Sequence, residues 1–180
     1  MPRVTLIGYR GSGKSAVAAA LSQRLGCPWR DADEVLEQDV GMSIADLVAT
    51  RGENVFRDAE AAILGRLLDH HAAVLATGGG VILRPSNREI LRTHGRPVVW
   101  LSAPTDVIRN RLASDPTTAS RRPALDGGDV LDEVANALAH REPLYREVAD
   151  GIIGTSIDPP DRLAERIAAW LESERPQVIP

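Results

Sequence analysis

Apolar residues in this chain gather in short, mostly unalternating runs. Val4–Gly8, Pro28–Arg30, Val74–Ala76, Val98–Leu101 and Ile152–Ile153 are each bounded by turn residues, the pattern of strands covered on both faces. Between them the spacing changes to that of helices. Val17, Leu21 and Leu25 predict one helix after the first glycine loop, and Ile44, Leu47 and Val48 a short one with Ser43 as N-cap. Asn54–His70 carries Ala59, Ile63 and Leu67 on one face, while Asn87–Thr93 and Thr105–Ala113 read as two further helices. Val130–Val148 carries Val134 and Leu138, with a break expected near Pro143. Leu163, Ile167 and Trp170 or Leu171 mark a final amphipathic helix. Strands alternating with helices predict parallel pairing through right-handed crossovers, hence an α/β layered sheet.

One segment breaks the alternation. Ser114–Asp129, "SDPTTASRRPALDGGD", is polar, interrupted by proline and glycine, and longer than an ordinary connection. It is either a plain surface loop or a lid over a site.

Composition narrows the class. At 180 residues the chain is long enough for one domain and short for two, and 43% hydrophobic with 26% charged residues is ordinary for a globular protein. No apolar run approaches the roughly 18–20 residues that span a bilayer, and the N-terminus passes from a strand into a glycine loop without a leader pattern. A cytoplasmic location is expected, with no membrane partner. A formal charge of −4 argues against broad electrostatic binding to nucleic acid. The one cysteine, Cys27, excludes an internal disulfide framework and reads as a small core residue. His70, His71, His94 and His140 follow no metal-ligand spacing.

"GYRGSGKS", Gly8 to Ser15, fits G-x-x-x-x-G-K-S in the context the motif needs, after a strand and before a helix. Glycines turn the backbone so that consecutive N–H groups point at phosphate oxygens, and the helix start adds its positive dipole end. Lys14 would reach the β- and γ-phosphates, and the Ser15 hydroxyl would ligate Mg²⁺. Lys14 is also the only lysine among 21 basic side chains, the rest being arginine. A site with room only for a compact point charge, and not for a planar fork, would explain the exception, unless the lone lysine fell there by chance. A chain with this single lysine cannot contain an Asn-Lys-x-Asp guanine-reading motif. A small ATP-dependent kinase is what remains.

The strand Val74–Ala76 ends in Thr77 and then Gly78, Gly79 and Gly80, where many such proteins place a magnesium-binding aspartate. The acid must come from elsewhere, and Asp31 and Asp33 follow the second strand. Two apart in an extended segment, they would point the same way. One would hold the metal and the other orient an acceptor hydroxyl, unless one simply caps the following helix.

These residues, with "GENVFRDAE", "TGGGV", "RRPAL" and "REPLYREVAD", resemble shikimate kinases from Val4 to about Leu171. The resemblance implies a P-loop NTPase three-layer fold, a five-stranded parallel sheet flanked by helices, with a mobile lid. One kinase domain over 1–175 is expected, its acceptor region at about 31–62 and lid at about 114–129, followed by a tail at 176–180. It implies Mg-dependent transfer of the ATP γ-phosphoryl group to the 3-hydroxyl of shikimate, in aromatic amino-acid biosynthesis, with one Mg²⁺ per subunit, in a monomer.

The resemblance also distributes roles. Lys14, Asp33 and Arg122 are the expected catalytic residues, with Asp33 as base or orienter and Arg122 as lid arginine. Gly11, Ser12, Gly13, Lys14, Ser15, Ala16, Arg111 and Arg122 would hold ATP, Arg111 (or Arg109) lying beside the adenine. Asp33, Arg57, Gly78, Gly79, Gly80 and Arg141 would hold shikimate, the two arginines on its carboxylate. Ser15 and Asp31 are the expected metal residues. In this reading Gly78–Gly80 offer bare backbone for close approach of the acceptor.

The chain departs from the family at Ala16, where a hydroxyl is usual, in its Arg-Pro-Ala-Leu lid, and in "TSIDPP", which lacks a basic residue near the nucleotide. A kinase for gluconate or a nucleoside monophosphate is the nearest rival, and a silent nucleotide-binding module the rival of another class. The joint presence of Asp33, Arg57, Gly79 and Arg141 favours a carboxylated polyol as acceptor.

Overall fold

A computed structural model describes residues 2–69, 73–114, 130–173 and 178–179. Five parallel strands form one sheet: β1 (Val4–Ile7), β2 (Trp29–Asp31), β3 (Val74–Ala76), β4 (Val98–Ser102) and β5 (Gly151–Gly154). Their order across the sheet is β2-β3-β1-β4-β5, with β1 in the middle and all four of its residues buried. Register is set by pairs such as Val4 with Val74 and Thr5 with Val98.

Eight helices surround it among the described residues: α1 (Lys14–Leu25), α2 (Ala32–Val40), α3 (Ile44–Arg51), α4 (Glu53–Leu68), α5 (Pro85–His94), α6 (Thr105–Ser114), α7 (Val130–Val148) and α8 (Pro160–Glu172). One sheet face, with Leu6, Val99 and Ile153, packs on Val17 and Leu21 of α1 and Leu163, Ile167 and Trp170 of α8. The other, with Ile7, Leu75 and Trp100, packs on Leu36, Leu47, Phe56, Leu64, Leu91 and Tyr145 from α2, α3, α4, α5 and α7. Two apolar layers over an all-buried central strand explain why its residues do not alternate. Val178 bridges to Ile152 on β5, and Ile179 behind it is 2% exposed.

Ser43 caps α3 as expected, its hydroxyl accepting from the Asp46 N–H at 3.0 Å. Two expectations need correction. Helix α7 runs unbroken through Pro143; Val134 before the proline and Tyr145 and Val148 after it are all buried, and this packing outweighs the missing backbone bond. The segment after β2 is also not extended beyond Asp31. Helix α2 begins at Ala32, with Asp31 as N-cap accepting from the Asp33 N–H at 2.9 Å, so Asp33 lies in a first helical turn. The expected lid, with Arg122, lies outside the described residues apart from Ser114. No helix among the described residues is long and apolar enough to cross a membrane.

Candidate active site

Every described candidate residue except Arg57 and Arg141 lies on a segment that starts at, or just beyond, the carboxyl end of a strand. That edge is where open parallel sheets bind ligands. Beyond β1 the phosphate loop enters α1 through Gly13, whose φ of 92° is a left-handed conformation that glycine adopts without strain. Lys14 is 8% exposed and donates to the carbonyls of Gly8 at 2.9 Å and Tyr9 at 3.0 Å. Its ammonium is therefore held folded back over the loop. Ser12 is buried, and its hydroxyl has no hydrogen-bond partner among the described residues. Gly11 joins the loop to α6, because its carbonyl accepts from Arg111 Nη1 at 3.4 Å. Arg111 also donates to the hydroxyl and the carbonyl of Thr155, after β5. It thus links three parts of the nucleotide side.

Ala16 follows on the first turn of α1, while the Ser15 hydroxyl donates to Asp31 Oδ2 at 2.5 Å. Among the described residues no three His, Cys, Asp or Glu side chains could hold a metal by themselves. A hydroxyl beside a carboxylate at a phosphate loop is nonetheless a donor set suited to Mg²⁺, which takes few protein oxygens and completes its shell with phosphate and water.

Past β3, Gly78, Gly79 and Gly80 pass between crowded neighbours, and each leaves no room for a side chain. A Cβ on Gly78 would stand 2.7 Å from Asp33 Oδ1 and 2.8 Å from Glu60 Oε1. One on Gly79 would stand 2.8 Å from the Arg10 backbone nitrogen, in the phosphate loop. One on Gly80 would collide with the Arg57 guanidinium. The glycines are therefore required first by the protein's own side chains and backbone, a reason that differs from the bare surface for an acceptor expected from the sequence. The effect is to bring Asp33, Arg57 and the phosphate loop around one turn.

Arg57 is 8% exposed and donates from Nη1 to Glu60 Oε2 at 2.8 Å and from Nη2 to Glu53 Oε1 at 3.1 Å. Burial alone would lower its pKa, but Glu60 and Glu53 together outweigh this and hold it above the ordinary arginine value. Glu60 is 4% exposed, and its second oxygen, Oε1, has no hydrogen-bond partner among the described residues although it faces Gly78. Arg141, on α7, lies over the ring of Tyr9. Burial pushes the Tyr145 hydroxyl well above the usual phenol range, with the Arg141 cation opposing the rise.

The structure thus brings Lys14, Ser15, Asp31, Asp33, Arg57 and Gly78–Gly80 to one edge. Glu60 was not foreseen, although its place three residues after Arg57 on a helix is a pairing signal. Tyr9 and Tyr145 lie inside "GYRGSGKS" and "REPLYREVAD", but nothing in those motifs pointed to a role for either ring.

A phosphate loop at the head of a five-stranded parallel sheet, beside a glycine turn packed against two carboxylates and an arginine, is the arrangement of a small P-loop kinase. The chain belongs to the shikimate kinase family. The family model "Shikimate kinase" matches residues 10–172. A shikimate kinase of Rhodopirellula baltica is 49% identical over 151 residues, covering 84% of this chain and 80% of that protein. A shikimate kinase 2 of Yersinia enterocolitica is 38% identical over 96% of this chain and 97% of its own length. The solved structure of a shikimate kinase from Acinetobacter baumannii in complex with shikimate is 34% identical, with a TM-score of 0.89 over 96% of this chain and 93% of that one.

Proposed function

We propose that this chain transfers the γ-phosphoryl group of ATP to the 3-hydroxyl of shikimate, giving ADP and shikimate 3-phosphate. The observation that carries the acceptor site is the turn at Gly78–Gly80. A carboxylate, Asp33 from α2, and a buried guanidinium, Arg57 from α4, lie against this turn, whose backbone abuts the phosphate loop. A hydroxylated carboxylic acid needs both chemistries, within reach of a γ-phosphate.

Arg57 and Arg141 would bind the acceptor carboxylate, and Asp33 would accept the hydrogen bond of the 3-hydroxyl. The free Glu60 Oε1 beside it suits a second hydroxyl or a bridging water. As the 3-oxygen bonds to the γ-phosphorus, the bond to the β,γ-bridging oxygen breaks and the hydroxyl proton passes to Asp33. Lys14 would exchange its two carbonyl partners for phosphate oxygens and follow the developing charge. Arg122 is assigned to the closing lid. Mg²⁺ would be held by Ser15 and Asp31 together with phosphate oxygens. Bound there, it would neutralise charge on the phosphates. The protein is expected to act as a monomer.

The deciding assay measures ADP formed from Mg-ATP with shikimate, gluconate, AMP or no acceptor. ADP dependent on shikimate supports the reading. Turnover with gluconate or AMP instead would keep the kinase and overturn the acceptor pocket. No turnover by a folded, ATP-binding protein would favour a silent module.

A further inference from the structure

The guanidinium of Arg141 lies beside two aromatic residues. The Tyr9 ring lies beneath it, with the guanidinium carbon 5.1 Å from the ring centre. Tyr145, one turn further along α7, lies near enough to the same cation for the Arg141 charge to oppose the rise that burial gives its hydroxyl pKa. That hydroxyl donates to the Gly79 carbonyl at 2.6 Å, which leaves its lone pairs facing a cation rather than a second acceptor.

Neither aromatic residue is free to move. Tyr145 is fully buried and stacks on Trp100, with ring centres 5.5 Å apart and planes 14° from parallel. Tyr9 is 5% exposed and packs with Ile108 and Val134. Its backbone belongs to the phosphate loop, where its carbonyl accepts from Lys14. The ring that supports an acceptor-site cation is thus carried by the nucleotide loop.

We infer that Tyr9 and Tyr145 are positioning residues that clamp the Arg141 guanidinium in its carboxylate-binding orientation before the acceptor arrives. This rests on Arg141 as a carboxylate anchor. A long arginine left loose would have to be ordered when the acceptor binds, and a clamped one has already lost that freedom. The aromatic face attracts the cation without using any of its N–H donors, so the fork stays available for the carboxylate.

Steady-state kinetics on the full chain separate this from a merely structural role. Tyr9→Leu keeps bulk and removes the π face, and is expected to raise the shikimate KM about fivefold to tenfold, with the ATP KM held within about twofold. Tyr9→Phe restores the wild-type shikimate KM. Tyr145→Phe, which keeps the stack on Trp100 and loses the hydroxyl, also raises the shikimate KM. In an Arg141→Ala background, Tyr9→Leu adds no further rise. Equal shikimate KM values for Tyr9→Leu and Tyr9→Phe, an ATP KM that rises in step, or a Tyr145→Phe variant with wild-type KM would overturn the clamp. A shikimate KM untouched by Arg141→Ala would overturn the anchor reading itself, and the clamp with it.

Discussion

The guanidinium of Arg57 lies directly against the α-carbon of Gly80, in space that a single methyl group on that carbon would take. Gly80→Ala must therefore push Arg57 away from Glu60. Because the obstacle is the end of a flexible side chain, the fold should survive while the shikimate Kd rises about tenfold, roughly one lost charged contact. At Gly79 the obstacle is the Arg10 backbone, 2.8 Å from the added carbon, which cannot swing aside. Gly79→Ala should cost about 1–3 kcal/mol of stability and disturb the phosphate loop as well. Calorimetry of shikimate binding beside thermal melts distinguishes the two, and wild-type affinity in Gly80→Ala would refute the placement of Arg57.

Glu60 neutralises a cation that is buried with it. Glu60→Gln leaves Arg57 with only the half-exposed Glu53, and a buried pair broken on one side typically costs about 3–5 kcal/mol. With Glu53 still in place, about 2 kcal/mol is expected, read as a lower denaturant midpoint. Double substitution with Arg57→Met should recover part of it.

Asp31 has two duties that one pair of variants can separate. Its Oδ1 caps α2 and its Oδ2 accepts from Ser15. Asp31→Asn keeps a capping oxygen and loses the charge, so the Mg²⁺ concentration for half-maximal turnover should rise about tenfold with little change in melting temperature. Asp31→Ala should show the same metal defect and lose a further ~1 kcal/mol of stability. Equal Mg²⁺ dependence in wild type and both variants would remove Asp31 from the metal site.

Asp33→Asn keeps shape and loses the proton acceptor. Turnover should fall at least about a hundredfold, with shikimate still bound. A near-normal kcat would show that Asp33 neither takes the proton nor orients the hydroxyl.

Tyr145 gives a pH signature. Its folded pKa is raised, so the protonated hydroxyl favours the native state fully below the ordinary phenol pKa of about 10, and that contribution declines as pH rises through the folded value. Stability should fall in the alkaline range, and Tyr145→Phe should remove part of that slope. Phenolate absorbance followed through the native range should show Tyr145 un-ionised until the protein unfolds.

The sheet and most helix positions were legible because unalternating runs and four-residue spacing are imposed by burial, and the same residues prove buried. The start of α2 was legible only as the alternative that an aspartate caps the following helix; reading both aspartates as one extended segment hid the placement of Asp31 and Glu34 as a cap and its partner three residues later. The unbroken α7 could not be foreseen, since the packing that tolerates Pro143 comes from Ile108 on α6 and Trp100 on β4. The roles proposed for Lys14, Asp33 and Arg57 rest on motifs. The approach of Tyr9 to Arg141 joins residues 132 positions apart, and no local pattern encodes it.

Lys14, the only lysine, sits 8% exposed in the first turn of α1. A protease that cuts after lysine therefore has a single target in the whole chain, the Lys14–Ser15 bond at the mouth of the nucleotide pocket. Its cleavage rate becomes a clock for how often that helix start comes undone, and occupancy of the pocket by ATP should slow the clock.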